Sequence, residues 1–340
     1  MNSTSSNTDK LGVVVIGRNE APRLRPCLES VRETMPALVY VDSGSCDGSP
    51  AIADDLGVPV IRLDTEPFSA ARGRQAGLDW LRHEFPGLEF VQFVDGDCVL
   101  QAGWVKQAIG FLDAHLPVGA VVGRLREARS AKSVWVRLVE SDWDLPVGET
   151  DAIGGIAMVR TAALWQVDGW RTELVAGEEL DLAARLRKRG WRLERLPYEM
   201  AIHDVAIVRL GEFWRRSVRT GQAYAQVALD HGWRGCPRWM RRTVGSIAYG
   251  AVLPLACIAG AVLYWPCAVV VAAVYVVLGT RIAGWRVRQG DSIAFAIFYA
   301  VVAIACKVAS ALGAIGHLLR RATGRPSRLI EYKTADSVTG

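Results

Sequence analysis

Two aspartates one residue apart, Asp95 and Asp97, directly follow an apolar run at residues 90–94. Carboxylate oxygens are hard ligands that suit Mg²⁺ or Mn²⁺, so this pair could hold a divalent cation. Gly96 between them would let the backbone approach a ligand closely. The motif alone decides little, because a chain with 35 acidic residues should contain about one Asp-x-Asp by chance.

A second motif with the same spacing, Asp142-Trp143-Asp144, lies in the stretch "LVESDWDLPVGE". No strand-like apolar run precedes it, whereas the run before Asp95 would hold that pair at the end of a strand. We therefore expect a surface loop or contacts with an acceptor at the second motif, and metal ligands at the first.

Apolar runs alternate with helical patterns through the first 100 residues. The strands are predicted at residues 11–16, 38–41, 58–63 and 90–94, and the helices at residues 23–34, 49–56 and 70–84. This alternation predicts an α/β fold with a mostly parallel sheet and helices on both faces. The nearly continuous apolar strands agree with a sheet that is buried on both sides.

Ligands of such sheets bind at the carboxyl ends of the strands. Polar or acidic loops follow three of the predicted strands: "GRNE", "VDSGSCDGS" and "DGD". Turn chemistry alone would ask only for glycine or asparagine at these places. No GxGxxG follows the first strand and no GxxxxGK[ST] occurs, which argues against a dinucleotide-binding fold and against a P-loop.

Taken in order, these motifs resemble those of the family 2 glycosyltransferases, which have the GT-A fold. The resemblance rests on Asn19-Glu20, "VDSGSCDGS", "ARGRQAGLDWL", "DGD", "GGIAMVR" and "GEELDLAARLRKRGWRL". It covers residues 12–204, and its motifs are specific as an ordered set although each is weak alone. The fold it implies is a GT-A sheet with helices on both faces, followed in this chain by a helical membrane region.

The resemblance implies a donor that is a nucleotide-diphosphate sugar, either a UDP-sugar or a GDP-sugar. The implied nucleotide-binding residues are Gly17, Arg18, Asn19, Glu20, Asp42, Ser43, Gly44, Arg72, Arg74, Asp95 and Gly96. Asp42 would bind the base, unless it is a plain turn residue. Arg72 and Arg74 would offset the diphosphate charge or form a solvated helix face. Asp47 is predicted to cap a turn or a helix.

The resemblance also implies Mn²⁺ or Mg²⁺ as the cofactor, held by Asp95, Asp97 and His203. A cation here would neutralise the diphosphate as the sugar–phosphate bond breaks. A lone histidine is as often structural, and that interpretation of His203 stays open. Gly154 and Gly155 would leave room for the donor sugar. Trp170 would form the floor of the sugar site or belong to the core.

Transfer with inversion needs a carboxylate that takes the proton of the acceptor hydroxyl. The helix predicted to begin at Gly177 opens with Glu178, Glu179 and Asp181. The family has Glu-Asp here, with the aspartate as the base. In this chain the pair is Glu-Glu, so Glu179 aligns with the base and is one methylene longer. Glu178 and Asp181 are the alternatives.

The charge pattern changes at residue 245. From there to residue 319 the charged residues are Arg281, Arg286, Arg288, Asp291 and Lys307. Apolar runs at 249–265 and 266–282 are near the length of membrane-spanning helices, with a hairpin turn at Trp265-Pro266. A third run, 293–319, either spans or lies at the interface. The basic flanks of the first two runs predict a multi-pass protein of the inner membrane with a cytoplasmic catalytic domain.

Residues 213–233 are amphipathic and basic but lack the Gln-x-x-Arg-Trp motif of processive family members, which favours a single transfer. Their arginines suit a lipid-linked phosphate acceptor or anionic headgroups. The predicted domains are a disordered N-terminus at 1–10, a GT-A domain at 11–210, a juxtamembrane helical segment at 211–243, membrane helices at 244–319 and a basic tail at 320–340.

Composition indicates the compartment of the catalytic domain and the class of partner. The polar N-terminus has no hydrophobic signal region, and the seven cysteines are scattered without a CxxC pair, as expected for a reduced cytosolic domain. The net charge of +5 is modest and its basic residues cluster near the apolar runs, so lipid is a better partner than nucleic acid.

The sequence therefore predicts a membrane-anchored inverting glycosyltransferase that acts on a lipid-linked acceptor or a precursor of a cell-envelope glycan. One alternative is a nucleotidyltransferase-like enzyme, although "GRNEAPRLR" lacks the glycine-rich loop expected after its first strand. The other is a non-catalytic membrane scaffold or small transporter with a degenerate transferase domain.

Overall fold

The computed structural model describes residues 9–32, 37–128, 133–143, 145–205 and 209–326. These residues form two compact units that divide at residue 209. Asp144 lies outside the described residues, as do most of the N-terminal segment predicted to be disordered and most of the basic tail.

The first unit is built on a nine-stranded sheet with the order β3-β2-β1-β4-β8-β6-β9-β5, in which β7 also pairs with β9. Its strands are β1 Leu11–Gly17, β2 Ala37–Asp42, β3 Val60–Arg62, β4 Phe90–Asp95, β5 Cys98–Leu100, β6 Val118–Glu127, β7 Gly148–Glu149, β8 Ala157–Arg160 and β9 Arg192–His203. Its helices are α1 Ala21–Arg32, α2 Ser49–Asp55, α3 Ala70–Glu84, α4 Trp104–Ala114, α5 Val134–Trp143, α6 Thr161–Trp165 and α7 Glu178–Lys188.

Helices cover both faces of this sheet, as predicted. Successive side chains of a strand point to opposite faces, and β1 shows this clearly. Val13 and Val15 belong to a core cluster with Leu24 of α1. Val14 and Ile16 belong to a second cluster, which contains Leu78 of α3 and so lies on the other face.

The second half of the sheet is mixed, which differs from the mostly parallel sheet that we predicted. Strands β1 to β4 pair in parallel, as do β6 and β9. However, β8 runs antiparallel between β4 and β6, and β5 and β7 run antiparallel to β9. The apolar pattern of a strand shows its burial but carries no information about its direction, which depends on where the connecting segment returns.

The second unit is helical. It consists of α8 Leu210–Gly235, α9 Pro237–Ile247, a π-helical turn Ala248–Val252, α10 Leu253–Leu263, α11 Trp265–Arg288 and α12 Ile293–Ala322. Among the residues that the structure describes, three segments are long and apolar enough to cross a membrane: Pro237–Leu263, Trp265–Arg288 and Ile293–Ala322. Within the described part of the chain, α10 buries none of its side chains and α11 buries only Arg286. Their apolar side chains therefore face outwards, as expected for helices in contact with lipid.

Glycines allow very close helix contacts in this unit. A Cβ atom added to Gly221 of α8 would overlap the backbone of Ser310 in α12, and one added to Gly313 of α12 would overlap the backbone of Val218. Small residues at such contacts let helix backbones touch, which is a common way for membrane helices to associate.

We therefore expect Gly221→Ala to destabilise the protein, because the neighbouring atoms are backbone and cannot move aside. Overpacking costs about 1–3 kcal/mol or more. The measurement is thermal unfolding of the full chain in detergent. Gly245→Ala in α9 is the matched control, since a Cβ there meets nothing within 4 Å. Equal midpoints for the two variants would contradict the close contact.

Candidate active site

Asp97 and His203 come together although 106 positions separate them in the sequence. The short strand β5 pairs with the end of β9 in such a register that Cys98 faces His203. This pairing brings His203 Nε2 to 3.3 Å from Asp97 Oδ2. The other ring nitrogen, Nδ1, lies 2.7 Å from Glu127 Oε1. The imidazole therefore sits between two carboxylates.

The charges around His203 favour a cation. Burial acts to lower the pKa of His203, but the charge of Asp97 and its hydrogen bond, together with those of Glu127, hold the pKa well above its ordinary value. Both carboxylates are themselves buried, with Asp97 5% and Glu127 5% exposed. A proton or a metal ion at this place would offset their charge.

The donor atoms suit a divalent metal. Two atoms that each lie about 2.1 Å from one ion are about 3 Å apart, close to the separation of Asp97 Oδ2 and His203 Nε2. Cys98 also offers its sulfur, within 4.8 Å of the other two donors. However, burial and then the charges of Asp97 and Asp95 raise the pKa of the Cys98 thiol well above its ordinary value. A protonated thiol is a poor ligand, which leaves oxygen and nitrogen donors.

Asp95 has a different partner from Asp97. Its Oδ1 atom lies 2.7 Å from Arg74 Nη2, and about a third of its side chain is exposed. Arg74 itself is 3% exposed and its other terminal nitrogen lies 2.9 Å from Glu178 Oε1. One guanidinium thus joins the DGD segment to the beginning of α7. A Cβ on Gly155 would overlap this guanidinium, so the glycine is required at that position.

Arg74 remains cationic in this position. Burial acts to lower its pKa, but the charges of Asp95, Glu178 and Glu179 raise it. The cation also lies 5.1 Å from the centre of the Trp170 ring. Arg74 therefore forms ion pairs with carboxylates and does not belong to a solvated helix face.

The three acidic residues at the beginning of α7 have different surroundings. Glu178 is buried against Arg74. Asp181 is 1% exposed and pairs with Arg185 at 2.7 Å and with Arg171 at 3.3 Å. Glu179 is partly exposed. Of the three carboxylates, Glu179 is therefore the one that an acceptor could reach, and the N-terminus of α7 favours its charge.

Asp42 holds its own loop together. Its Oδ2 atom accepts hydrogen bonds from the backbone of Gly44 at 3.1 Å and of Ser45 at 2.9 Å. The hydroxyl of Tyr40 donates to Oδ1 at 3.1 Å, and burial followed by the charge of Asp42 raises the pKa of that hydroxyl. Asp42 is 2% exposed. The turn role that we had kept as an alternative is present in the structure.

The loops after β1 and β2 are tied to each other. The side-chain oxygen of Asn19 accepts from the backbone of Cys46 at 2.8 Å. The backbone N–H of Asn19 donates to the hydroxyl of Ser45 at 2.8 Å. Asn19 has a positive φ of 56°, which asparagine tolerates better than most residues. The backbone of Ser43 in turn donates to the carbonyl of Gly17 at 2.9 Å. The predicted nucleotide loops therefore form one connected surface.

Asp47 caps α1, as the sequence predicted. Its carboxylate accepts from the first amide of that helix, at Ala21, over 2.9 Å. It also accepts from the backbone of Ser49 at 3.0 Å and from the hydroxyl of Ser49 at 2.6 Å. Asp47 thus joins the beginnings of α1 and α2.

Other predicted nucleotide residues make structural contacts. Glu20 is buried and pairs with Arg23 at 2.6 Å. The guanidinium of Arg18 lies 5.1 Å from the centre of the Phe68 ring, and this ring also packs on Gly44. Arg72 donates to the carbonyl of Pro67 at 2.9 Å and to the hydroxyl of Thr65 at 2.9 Å. It thus holds the loop before α3.

Trp170 lies in the core. It is 3% exposed and packs edge-on against Phe93 with 5.1 Å between ring centres. Its indole nitrogen is buried and has no hydrogen-bond partner among the described residues. The core interpretation of this tryptophan matches the structure. Gly154 has a positive φ of 66°, which permits the turn in front of β8.

Two residues of the site were missed in the sequence. Glu127 is the last residue of strand β6. An acidic residue at the end of a strand was the signal that identified Asp95, and the same signal could have identified Glu127. Trp143 donates from Nε1 to Glu127 Oε1 at 3.0 Å. This tryptophan is the central residue of the second Asp-x-Asp motif. The expected loop at Asp142 is wrong, because Asp142 is an exposed residue in the last turn of α5.

Several known proteins are similar to this chain. Residues 12–167 match the model of Glycosyl transferase family 2. Pre-mycofactocin glycosyltransferase of Mycobacterium tuberculosis is 28% identical over 235 residues, which cover 64% of this chain and 47% of that protein. The chain thus spans about half the length of the curated relatives that it matches.

Among solved structures, one that is similar to this chain is a mannosyltransferase from Pyrobaculum calidifontis in complex with GDP-mannose and Mn²⁺. The similarity covers 90% of this chain and 87% of that protein, with a TM-score of 0.61 and 21% identity. Glucosyl-3-phosphoglycerate synthase of Mycobacterium tuberculosis is similar over 64% of this chain and 78% of its own, with a TM-score of 0.47 and 16% identity.

The first unit therefore has the GT-A fold. Within this unit, residues 12–167 match the model of Glycosyl transferase family 2, the family whose ordered motifs the sequence resembles.

We expect Arg74→Met to destabilise the protein strongly, because it leaves Glu178 buried without its cationic partner. Removing one member of a buried pair costs about 3–5 kcal/mol. Thermal unfolding of the full chain in detergent would measure this. Arg72→Met, which removes a partly exposed arginine from the same helix, is the control. Replacing both members in Arg74→Met/Glu178→Met should restore part of the loss. A single variant no less stable than the control would refute the role of the pair.

The stability contributed by Asp47 should depend on pH. Burial acts to raise the pKa of Asp47, but hydrogen bonds from Ser49 and the Ala21 amide lower it below its ordinary value. A lowered folded-state pKa stabilises above the unfolded value of about 3.9, and this contribution is lost as the pH falls through the folded value. The difference in melting temperature between wild type and Asp47→Asn should therefore be largest near neutral pH and shrink towards pH 3. A difference that stays constant would contradict the lowered pKa.

Proposed function

We propose that this chain is a membrane-anchored inverting glycosyltransferase that moves a sugar from a nucleotide-diphosphate sugar to a lipid-linked or cell-envelope glycan acceptor at the cytoplasmic face of the inner membrane. One observation supports the proposal most directly. Arg74 binds both Asp95 and Glu178, so the DGD segment and the acidic beginning of α7 lie next to each other. This proximity supports a metal site and a general base that act on the same substrate.

Asp97 and His203 would hold Mn²⁺ or Mg²⁺, since their donor atoms are 3.3 Å apart and buried carboxylates surround them. When bound, the cation would neutralise the charge of the diphosphate leaving group. Asp95 is held by Arg74 and is partly exposed, which leaves its second oxygen available to the donor or to a metal-bound water.

The connected loops after β1 and β2 would bind the nucleotide. The two loops are joined by the hydrogen bond from the backbone of Asn19 to the hydroxyl of Ser45. Asp42 uses both carboxylate oxygens inside its turn, so it would contact the base through the remaining lone pairs. Arg18 and Phe68 border the same loop at Gly44.

Glu179 would be the general base. Its carboxylate would take the proton of the acceptor hydroxyl as that oxygen forms a bond with the anomeric carbon. The bond from the anomeric carbon to the phosphate oxygen breaks in the same step, and the nucleoside diphosphate leaves with its electron pair. Attack from the face opposite the leaving group inverts the configuration.

The second unit supports a membrane location, because its three apolar segments are long enough to span and expose apolar side chains. The basic flanks of the first two segments favour the cytoplasmic side. Arg215, Arg216 and Arg219 of α8 would suit an acceptor phosphate or anionic headgroups.

The experiment supplies the purified full chain in detergent with Mn²⁺ and a panel of UDP- and GDP-sugars, and measures nucleoside diphosphate release. GDP-mannose belongs in the panel because it is bound in the Pyrobaculum mannosyltransferase. Acceptors should include polyprenyl phosphates. Pre-mycofactocin should be added as an acceptor, since two of the curated relatives are named pre-mycofactocin glycosyltransferase.

We expect Asp97→Asn to reduce release to background, and Glu179→Gln to lower kcat by about 10²–10⁴-fold while Mn²⁺ still binds. Asp79→Asn, an exposed position on α3, should retain wild-type activity. Release of pyrophosphate from a nucleoside triphosphate would instead indicate a nucleotidyltransferase. No release from any donor, with wild type and Asp97→Asn alike, would favour the scaffold interpretation.

A further inference from the structure

The carboxylate of Glu127 is fully buried and accepts three hydrogen bonds from separate parts of the chain. His203 Nδ1 lies 2.7 Å from Oε1, and the side chain of Glu127 is 0% exposed. The indole of Trp143 donates to the same oxygen over 3.0 Å. The backbone of Val205 donates to Oε2 over 3.2 Å. Strand β6, helix α5 and the segment after β9 thus meet at this one group.

These bonds determine which ring nitrogen of His203 carries a proton. An ionised carboxylate can only accept, so the Nδ1 atom of His203 must carry a proton. In a neutral imidazole the lone pair then lies on Nε2, the nitrogen that faces Asp97 at 3.3 Å. Metal-binding histidines commonly donate their other N–H to a carboxylate in this way.

We infer that Glu127 is a positioning residue for the metal site: it sets the tautomer and ring plane of His203, and Trp143 in turn holds the Glu127 carboxylate in place. This inference rests on the metal site that belongs to the proposed function. It adds two residues that do not bind the metal themselves and act through His203.

Trp143 makes a second contact that supports this role. Its ring stands edge-on to the imidazole, with 6.5 Å between ring centres and an interplanar angle of 88°. The tryptophan therefore limits rotation of the imidazole directly as well as through Glu127. The backbone of Trp143 is fixed in turn by Arg195 of β9, which donates to its carbonyl. Helix α5 thereby supports the site through the residue between the two aspartates of the second motif.

The obvious alternative is that Glu127 only stabilises the fold. That role would change the melting temperature but not the environment of a bound metal ion. A spectroscopic signal from the histidine nitrogen separates the two, because pulsed electron paramagnetic resonance of bound Mn²⁺ detects a coordinated ¹⁴N nucleus.

The test titrates Mn²⁺ into the metal-free full chain in detergent, without donor or acceptor, and follows both affinity and the ¹⁴N signal. We expect Glu127→Gln to weaken Mn²⁺ binding about 10–100-fold and to reduce or lose the ¹⁴N signal. Trp143→Phe should weaken binding less but in the same direction. His203→Ala provides the reference spectrum without the imidazole. Glu194→Gln is the matched control, a buried glutamate at the other end of β9 that pairs with Arg192, and it should bind Mn²⁺ like wild type.

Wild-type affinity and an unchanged ¹⁴N signal in Glu127→Gln would overturn the inference. If that variant does not fold, Trp143→Phe decides in its place, and unchanged binding there has the same meaning. The proposed metal site fails separately. It is wrong if Asp97→Asn and His203→Ala bind Mn²⁺ as tightly as wild type, whatever the Glu127 variant does.

Discussion

A buried guanidinium holds the candidate site together. Arg74 is removed from water, which is costly for a cation, and the pairs with Asp95 and Glu178 offset that cost. These two carboxylates come from segments more than 80 positions apart in the sequence. Because the cation needs both of them, the DGD segment and the beginning of α7 cannot separate without leaving a charge unpaired in the interior. The relative placement of the proposed metal ligands and the proposed base depends on this constraint.

A second group of charges, formed by Asp97, His203 and Glu127, lies beside the first. Around His203, two buried carboxylates face one imidazole, so the site carries more negative than positive charge unless it takes up a cation. Arg74 is a permanent cation between its two carboxylates, whereas the imidazole of His203 is charged only when it is protonated. Two carboxylates one residue apart, Asp95 and Asp97, therefore have different surroundings.

The local elements followed closely from the sequence. The helix predicted at residues 70–84 is found as Ala70–Glu84, and the strand before the DGD segment differs only by Asp95 at its end. Such elements are set by apolar periodicity and by caps such as Ser69, which act over a few residues. The direction of β8 was not accessible in this way, because it depends on pairing with β4 and β6, which are distant in the sequence.

The two Asp-x-Asp motifs show which features of the site follow from the sequence and which follow from the tertiary structure. By itself, the sequence determined that "DGD" ends a buried strand while "DWD" does not, since the apolar run before Asp95 is a local property. Only the tertiary structure decided that Asp97 meets His203, that Asp95 is held by Arg74, and that Trp143 contributes to the same site through Glu127. Those contacts exist because strand pairing brings the end of β9 beside β5 and β6, and no spacing within a single motif encodes that pairing.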